Sequence, residues 1–201
     1  MSWNDRVQED LAALRRMADS GGRLTLPGGE FYILWGTVVG FGFVGTYLIA
    51  FGIVPLPPAW IAAVWVVANI AGGIGSYFLA RRTVASADSA RLANRIVSVV
   101  WLVSSVVMAS YFLTNVVTGK LHGWMLAATC PFFAAVAFMV IGFLCNLRFM
   151  AVAGVGWLIL GIGMMAMPFT EVTVPIFAVA FVALMVITGL KMLALEREVG
   201  A

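Results

Sequence analysis

The chain has 201 residues, 63% of them hydrophobic and 10% charged, with a formal net charge of +3. Soluble domains carry about 25% charged residues, so this composition excludes an ordinary soluble domain and points to an all-α integral membrane protein. The excess of basic residues forms no patch interleaved with stacking aromatics on a soluble face, which argues against nucleic-acid binding.

The first segment, residues 1–22, reads as an amphipathic helix. Trp3, Val7, Leu11, Leu14 and Met17 recur at helical spacing, with Asp5, Arg6, Gln8, Glu9, Arg15 and Arg16 between them. Ser2 followed by Asp5 suits an N-terminal cap, and Gly21-Gly22 a stop. Such a helix lies on the inner leaflet, docks on a partner or on a second copy of the chain, or moves as a gate. No cleavable signal peptide is visible in these charged residues.

A linker, residues 23–30, follows and carries "PGGEFYILWG" across its junction with the first apolar run. Glu30 there is a lone carboxylate at the start of a helix, where it meets the positive end of the dipole. It is also placed to latch onto an arginine at the same level: Arg81, Arg82 or Arg95.

Five stretches then contain no Asp, Glu, Lys, Arg or His: 31–80, 96–119, 123–147, 149–170 and 172–190. A span needs about 20 apolar residues, so the first holds two helices, divided at Val54-Pro55-Leu56-Pro57-Pro58, where backbone donors are lost. Six transmembrane helices are expected, at about 31–53, 57–80, 96–117, 123–146, 149–167 and 173–193, with 194–201 as a tail. These runs are apolar on every side, unlike the alternating strands of a membrane β-barrel.

Of the 12 Lys and Arg residues, only Lys120 falls on one side of this topology. The positive-inside rule then puts both termini in the cytoplasm, in a plasma (inner) membrane whose anionic head groups the arginines contact. Short connections on the Lys120 side suggest three hairpins: helices one with two, three with four, and five with six. "PAWIAAVWVVA" and "PIFAVAFVALM", which open helices two and six, hint at a repeat.

Within the spans, Gly36 and Gly40 form GxxxG, and Gly72 and Ser76 continue a small-residue face on helix two; both read as helix-packing surfaces. Gly40 to Gly45 also matches GxGxxG, but inside an apolar helix it is not a dinucleotide site. Asn69 is a mid-span amide that either clamps two helices or contacts a passing solute. With Ser104, Ser105 and Asn115 on helix three it forms a candidate polar seam. Pro131, after Cys130, suggests a kink in helix four. Cys130 and Cys145 are too far apart on one helix to bridge, at about 1.5 Å rise per residue.

Catalytic equipment is sparse: one histidine, His122, in a connection, no metal-binding motif and no paired carboxylates in the spans. No enzymatic activity and no cofactor is expected. The last hairpin, "GVGWLILGIGMMAMPFTEVTVPIFAVAFVALMVITGLKML", resembles that of HdeD-type bacterial membrane proteins, small six-helix chains associated with acid stress. The resemblance covers about a fifth of the chain and implies architecture, with no catalytic motif to carry over.

Two functional classes follow. The first is a structural, regulatory or stress-associated membrane component whose N-terminal helix docks on the membrane, on another membrane protein or on a second copy. The second is a channel or transporter for a small or apolar solute through the seam on helices two and three. Proton coupling normally uses an intramembrane carboxylate, and the spans hold none, which favours the first class.

Overall fold

A computed structural model of the chain describes residues 28–83, 88–119 and 123–200; within the helices, the side chains of 82, 83, 88–96, 116, 123, 125, 126, 199 and 200 are not included. The expected amphipathic helix and most of the linker therefore lie outside the described residues, as do the side chains of Arg82 and Arg95. All described secondary structure is helical: α1 Gly29–Ala50, α2 Trp60–Thr83, α3 Asp88–Val117, α4 Gly123–Leu144, α5 Arg148–Ala166 and α6 Thr173–Gly200. All six are long and apolar enough to cross a membrane.

The helices end where local chemistry stops them. After α1 the chain turns through Gly52, at φ +70°, a left-handed conformation that glycine adopts without strain, and then enters the Pro55-Pro57-Pro58 segment. Between α4 and α5 the turn is a Schellman motif: Leu147 N–H donates to Gly142 C=O at 2.8 Å and Asn146 N–H to Phe143 C=O at 3.4 Å. Asn146 takes the left-handed position, at φ +53°. Before α6, Thr170 and Thr173 cap each other: each hydroxyl accepts from the other's backbone N–H, at 3.1 and 2.9 Å.

Two helices outrun their apolar stretches. The structure starts α3 at Asp88, where the apolar run begins at 96, and carries α6 to Gly200, through residues expected to form a tail. Charged residues cost a helix little once its backbone hydrogen bonds are running.

α1–α2, α3–α4 and α5–α6 are each in contact, but the most extensive contacts join α4 to α5 and α1, the first helix, to α6, the last. Both of those pairs approach at backbone level. A Cβ on Gly142 would lie 2.5 Å from Ala151 N, and one on Gly189 2.6 Å from Gly29 O.

The core lies among α1, α4, α5 and α6. Trp157, Phe138, Ile141, Met150 and Met164 have no solvent exposure, and Tyr32 and Phe43 of α1 close the cluster. Pro131 is also fully buried within α4. α2 and α3 lie at the rim. Among the described side chains, α2 buries only Gly72 and α3 buries none.

Candidate functional site at the helix junctions

The residues read as a polar seam are distributed as follows. Asn69 is exposed on α2, and its amide donates to Trp65 C=O one turn back, at 2.8 Å. Asn115 is half-buried on α3 and donates to Tyr111 C=O in the same way, at 2.8 Å. Ser104 is half-buried and Ser105 exposed. Among the described residues, α2 and α3 are not one of the helix pairs in substantial contact, so these side chains sit on two separate rim helices.

The packing residues sit at interfaces. The GxxxG face of α1 meets α6: a Cβ on Gly36 would lie 2.8 Å from Met185 Cβ, and one on Gly40 2.9 Å from Val182 Cγ2. Across α1 and α2, the Trp35 indole covers Gly72, and its Nε1–H donates to Ser76 Oγ at 3.0 Å. The mirror contact runs the other way, with Trp65 Nε1–H of α2 donating to Thr46 Oγ1 of α1 at 3.0 Å. Two indoles thus clamp the same pair of helices near opposite ends.

The same device recurs. Trp101 of α3 donates to Tyr32 Oη at 3.4 Å, and Trp124 of α4 to Met167 C=O at 3.0 Å. Trp157 is different: its buried Nε1 has no hydrogen-bond partner among the described residues, and its ring lies against Phe181, centroids 4.5 Å apart and nearly perpendicular. Thr188 is buried as well, and its hydroxyl donates to Leu184 C=O at 2.7 Å. At the Pro55 end, Phe51, Phe169, Trp124 and Phe177 form a chain of ring contacts with centroids 5.2–5.9 Å apart.

At the opposite end, Glu30 sits in the first turn of α1 with its side chain exposed, and Arg81 of the proposed latch lies 4.5 Å over the ring of Tyr77 on its own helix. A different carboxylate reaches the start of α1. Glu196 Oε1, from the last turns of α6, accepts from Gly28 N–H at 2.9 Å and Gly29 N–H at 3.5 Å. The first N–H groups of a helix have no partner within it, and the dipole there favours an anion. Glu196 supplies both from 168 residues away.

Gly28 makes this geometry reachable. Its φ of +144° is a conformation that a side chain would strain. Glycine at both Gly29 and Gly189 then lets the start of α1 rest on the α6 backbone. Nothing in the local sequence around Glu30 announces Glu196. The available signal is the spacing Gly189, Leu193, Glu196, which puts all three on one helix face.

Chemically, these junctions hold helices together. Among the described residues, no group of three His, Cys, Asp or Glu is placed to hold a metal. Comparison with protein-family models, with curated proteins and with solved structures finds no match to the chain.

Proposed function

We propose that the protein is a multi-pass membrane component without enzymatic activity, a packed helical platform that carries the amphipathic N-terminal arm at the membrane surface. In this reading the six helices span a bacterial inner membrane in up-and-down order with both termini cytoplasmic. The arm docks on the lipid surface, on a second copy or on another membrane protein. The similarity of the last hairpin to HdeD-type proteins is in keeping with a stress-associated role of this kind.

The observation that carries the reading is the filled interior. A transporter needs a polar, hydrated or bistable route between its helices. Here the space among α1, α4, α5 and α6 is occupied by Trp157, Phe138, Ile141, Met150 and Met164, all without exposure. The polar side chains Asn69 and Asn115 bond back to their own helices, which supports a role in span stability over one in solute contact.

The test is deletion of residues 2–20. The expected outcome is a folded bundle with unchanged thermal unfolding that loses a copurifying partner, its self-association or its binding to anionic vesicles. If assembly, partners and vesicle binding are all unchanged, the arm does not dock and the reading fails.

A further inference from the structure

We infer that the bundle is two rigid three-helix bodies, α1–α2–α6 and α3–α4–α5, which hinge at the α5–α6 turn and part along a ring-lined seam through Trp157. The chain passes between them twice, after α2 and after α5, so residues 88–166 form one body as an insert within the other. Among the described residues, α5–α6 is the one helix pair in substantial contact that joins the two bodies. The other such pairs, α1–α6, α1–α2, α4–α5 and α3–α4, each lie within a body.

The contacts differ in kind as well as in extent. Inside the bodies backbone meets backbone: a Cβ on Gly29 would lie 2.5 Å from Gly189 O, and one on Gly142 2.5 Å from Ala151 N. Helices so joined move together. Across the seam, the α5 glycines face the far ends of side chains, Gly156 at Leu184 Cδ2 and Gly163 at Phe177 Cε1, where a Cβ would lie at 2.9 and 3.1 Å. Rings fill the remainder: Trp157 against Phe181, Trp124 against Phe177 and Tyr32 against Phe138, with centroids 4.5, 5.9 and 5.3 Å apart. A side-chain tip can change rotamer where a backbone contact has to break, so the seam is the plane along which the bundle gives first.

Hydrogen bonding repeats the division. Trp35 and Trp65 tie α1 to α2 at 3.0 Å. Trp101 reaches across the seam to Tyr32 at 3.4 Å, outside the usual range for such a bond, and Trp157 at its centre has no acceptor among the described residues. The two ends of the seam also differ. At the α5–α6 turn, Thr170 and Thr173 cap each other, and Phe169 lies against both Phe51, just after α1, and Trp124 of α4. At the far end the crossing contacts include the long Trp101–Tyr32 bond and Lys191 Nζ at 6.0 Å over the Phe149 ring, the outer limit for a cation–π pair. The turn is therefore the pivot.

Rings line the seam, so its opening makes no polar path and belongs to a filled platform that breathes. A partner that bridges α5 and α6 favours the closed form, while one seated on a single body favours neither.

The test is fluorine NMR of the full chain in small nanodiscs, with fluorotryptophan at every indole, six of the seven assigned by Trp→Phe variants and Trp157 by difference. Relaxation dispersion reads the μs–ms range in which such bodies move. Trp157 and Trp101 should exchange at one common rate, while Trp35 and Trp65, inside a body, show no exchange. Phe181→Leu, which removes the ring against Trp157, should raise the open population about tenfold, the effect of losing about one aromatic pair. Ser76→Ala, which releases Trp35 within its own body, should leave Trp157 unchanged.

Absence of exchange at Trp157 in both the wild type and Phe181→Leu overturns the seam. Exchange at Trp101 without Trp157 overturns it too, because α3 would then move alone, and so does one rate shared by all four indoles, which reports opening of the whole bundle. None of these readouts involves the arm, so the platform reading stands or falls separately.

Discussion

The four core helices and the two rim helices are built from the same apolar vocabulary but are packed in different ways. α4, α5 and α6 share a solid centre around Trp157, with α1 strapped to α6 by backbone contact at Gly29 and Gly189. α2 is held mainly to α1, through the Trp35–Ser76 and Trp65–Thr46 clamps, and α3 through Trp101 and Tyr111 against Tyr32, Phe138 and Phe133. Hydrocarbon is as apolar as leucine, so hydrophobicity draws a helix into the membrane without deciding which helix becomes the core. Close approach decides that, and it depends on glycines facing backbone and on large side chains filling the gaps.

The contrast is broken most forcefully at its centre. Trp157→Ala should cost about 3–5 kcal/mol, since a fully buried ring is replaced by a cavity the surrounding helices cannot collapse into. Leu102→Ala on α3, 65% exposed, should stay within about 0.5 kcal/mol. Unfolding in mixed micelles titrated with sodium dodecyl sulfate measures both. Equal costs would mean that α3 is covered in the assembled protein and that core and rim are one.

A glycine pair sharpens the comparison. Gly189→Leu places a side chain 2.6 Å from Gly29 O and should destabilise by about 3 kcal/mol, the upper end for overpacking. Gly73→Leu on α2 meets open space and should be neutral, or stabilising by up to about 1 kcal/mol through helix propensity. Strong destabilisation by Gly73→Leu would reveal a partner helix seated on α2.

The clamps give a smaller effect. Trp35→Phe and Ser76→Ala should each cost about 1 kcal/mol, and the double variant little more than either alone, because both remove one hydrogen bond. Fully additive costs in the same titration would show that the contact contributes nothing as a bond.

Much of the architecture is legible in the sequence because charge-free runs of about 20 apolar residues mark helices long and apolar enough to cross a membrane. The proline cluster after Val54 divides the first run, and Asn146 marks the α4–α5 turn once its left-handed preference is taken into account. The ends of α3 and α6 are less legible, since a helix need not stop where its apolar run does. Glu30 is the conspicuous acid in the sequence and lies in the first turn of α1, and Glu196 also reaches the start of that helix. A pairing across nearly the whole chain leaves no local pattern to read. The separation of Asn69 from Asn115 on two rim helices likewise depends on tertiary packing, which residue spacing within one helix does not encode.

Purified protein in liposomes, tested for flux of ions and of small polar and apolar solutes, tests the central claim most directly. The filled core predicts leak rates equal to those of protein-free liposomes for every solute, in wild type and in Asn69→Leu and Asn115→Leu alike. Saturable flux of any solute, lost in either asparagine variant, would contradict the platform and show that the rim helices line a path.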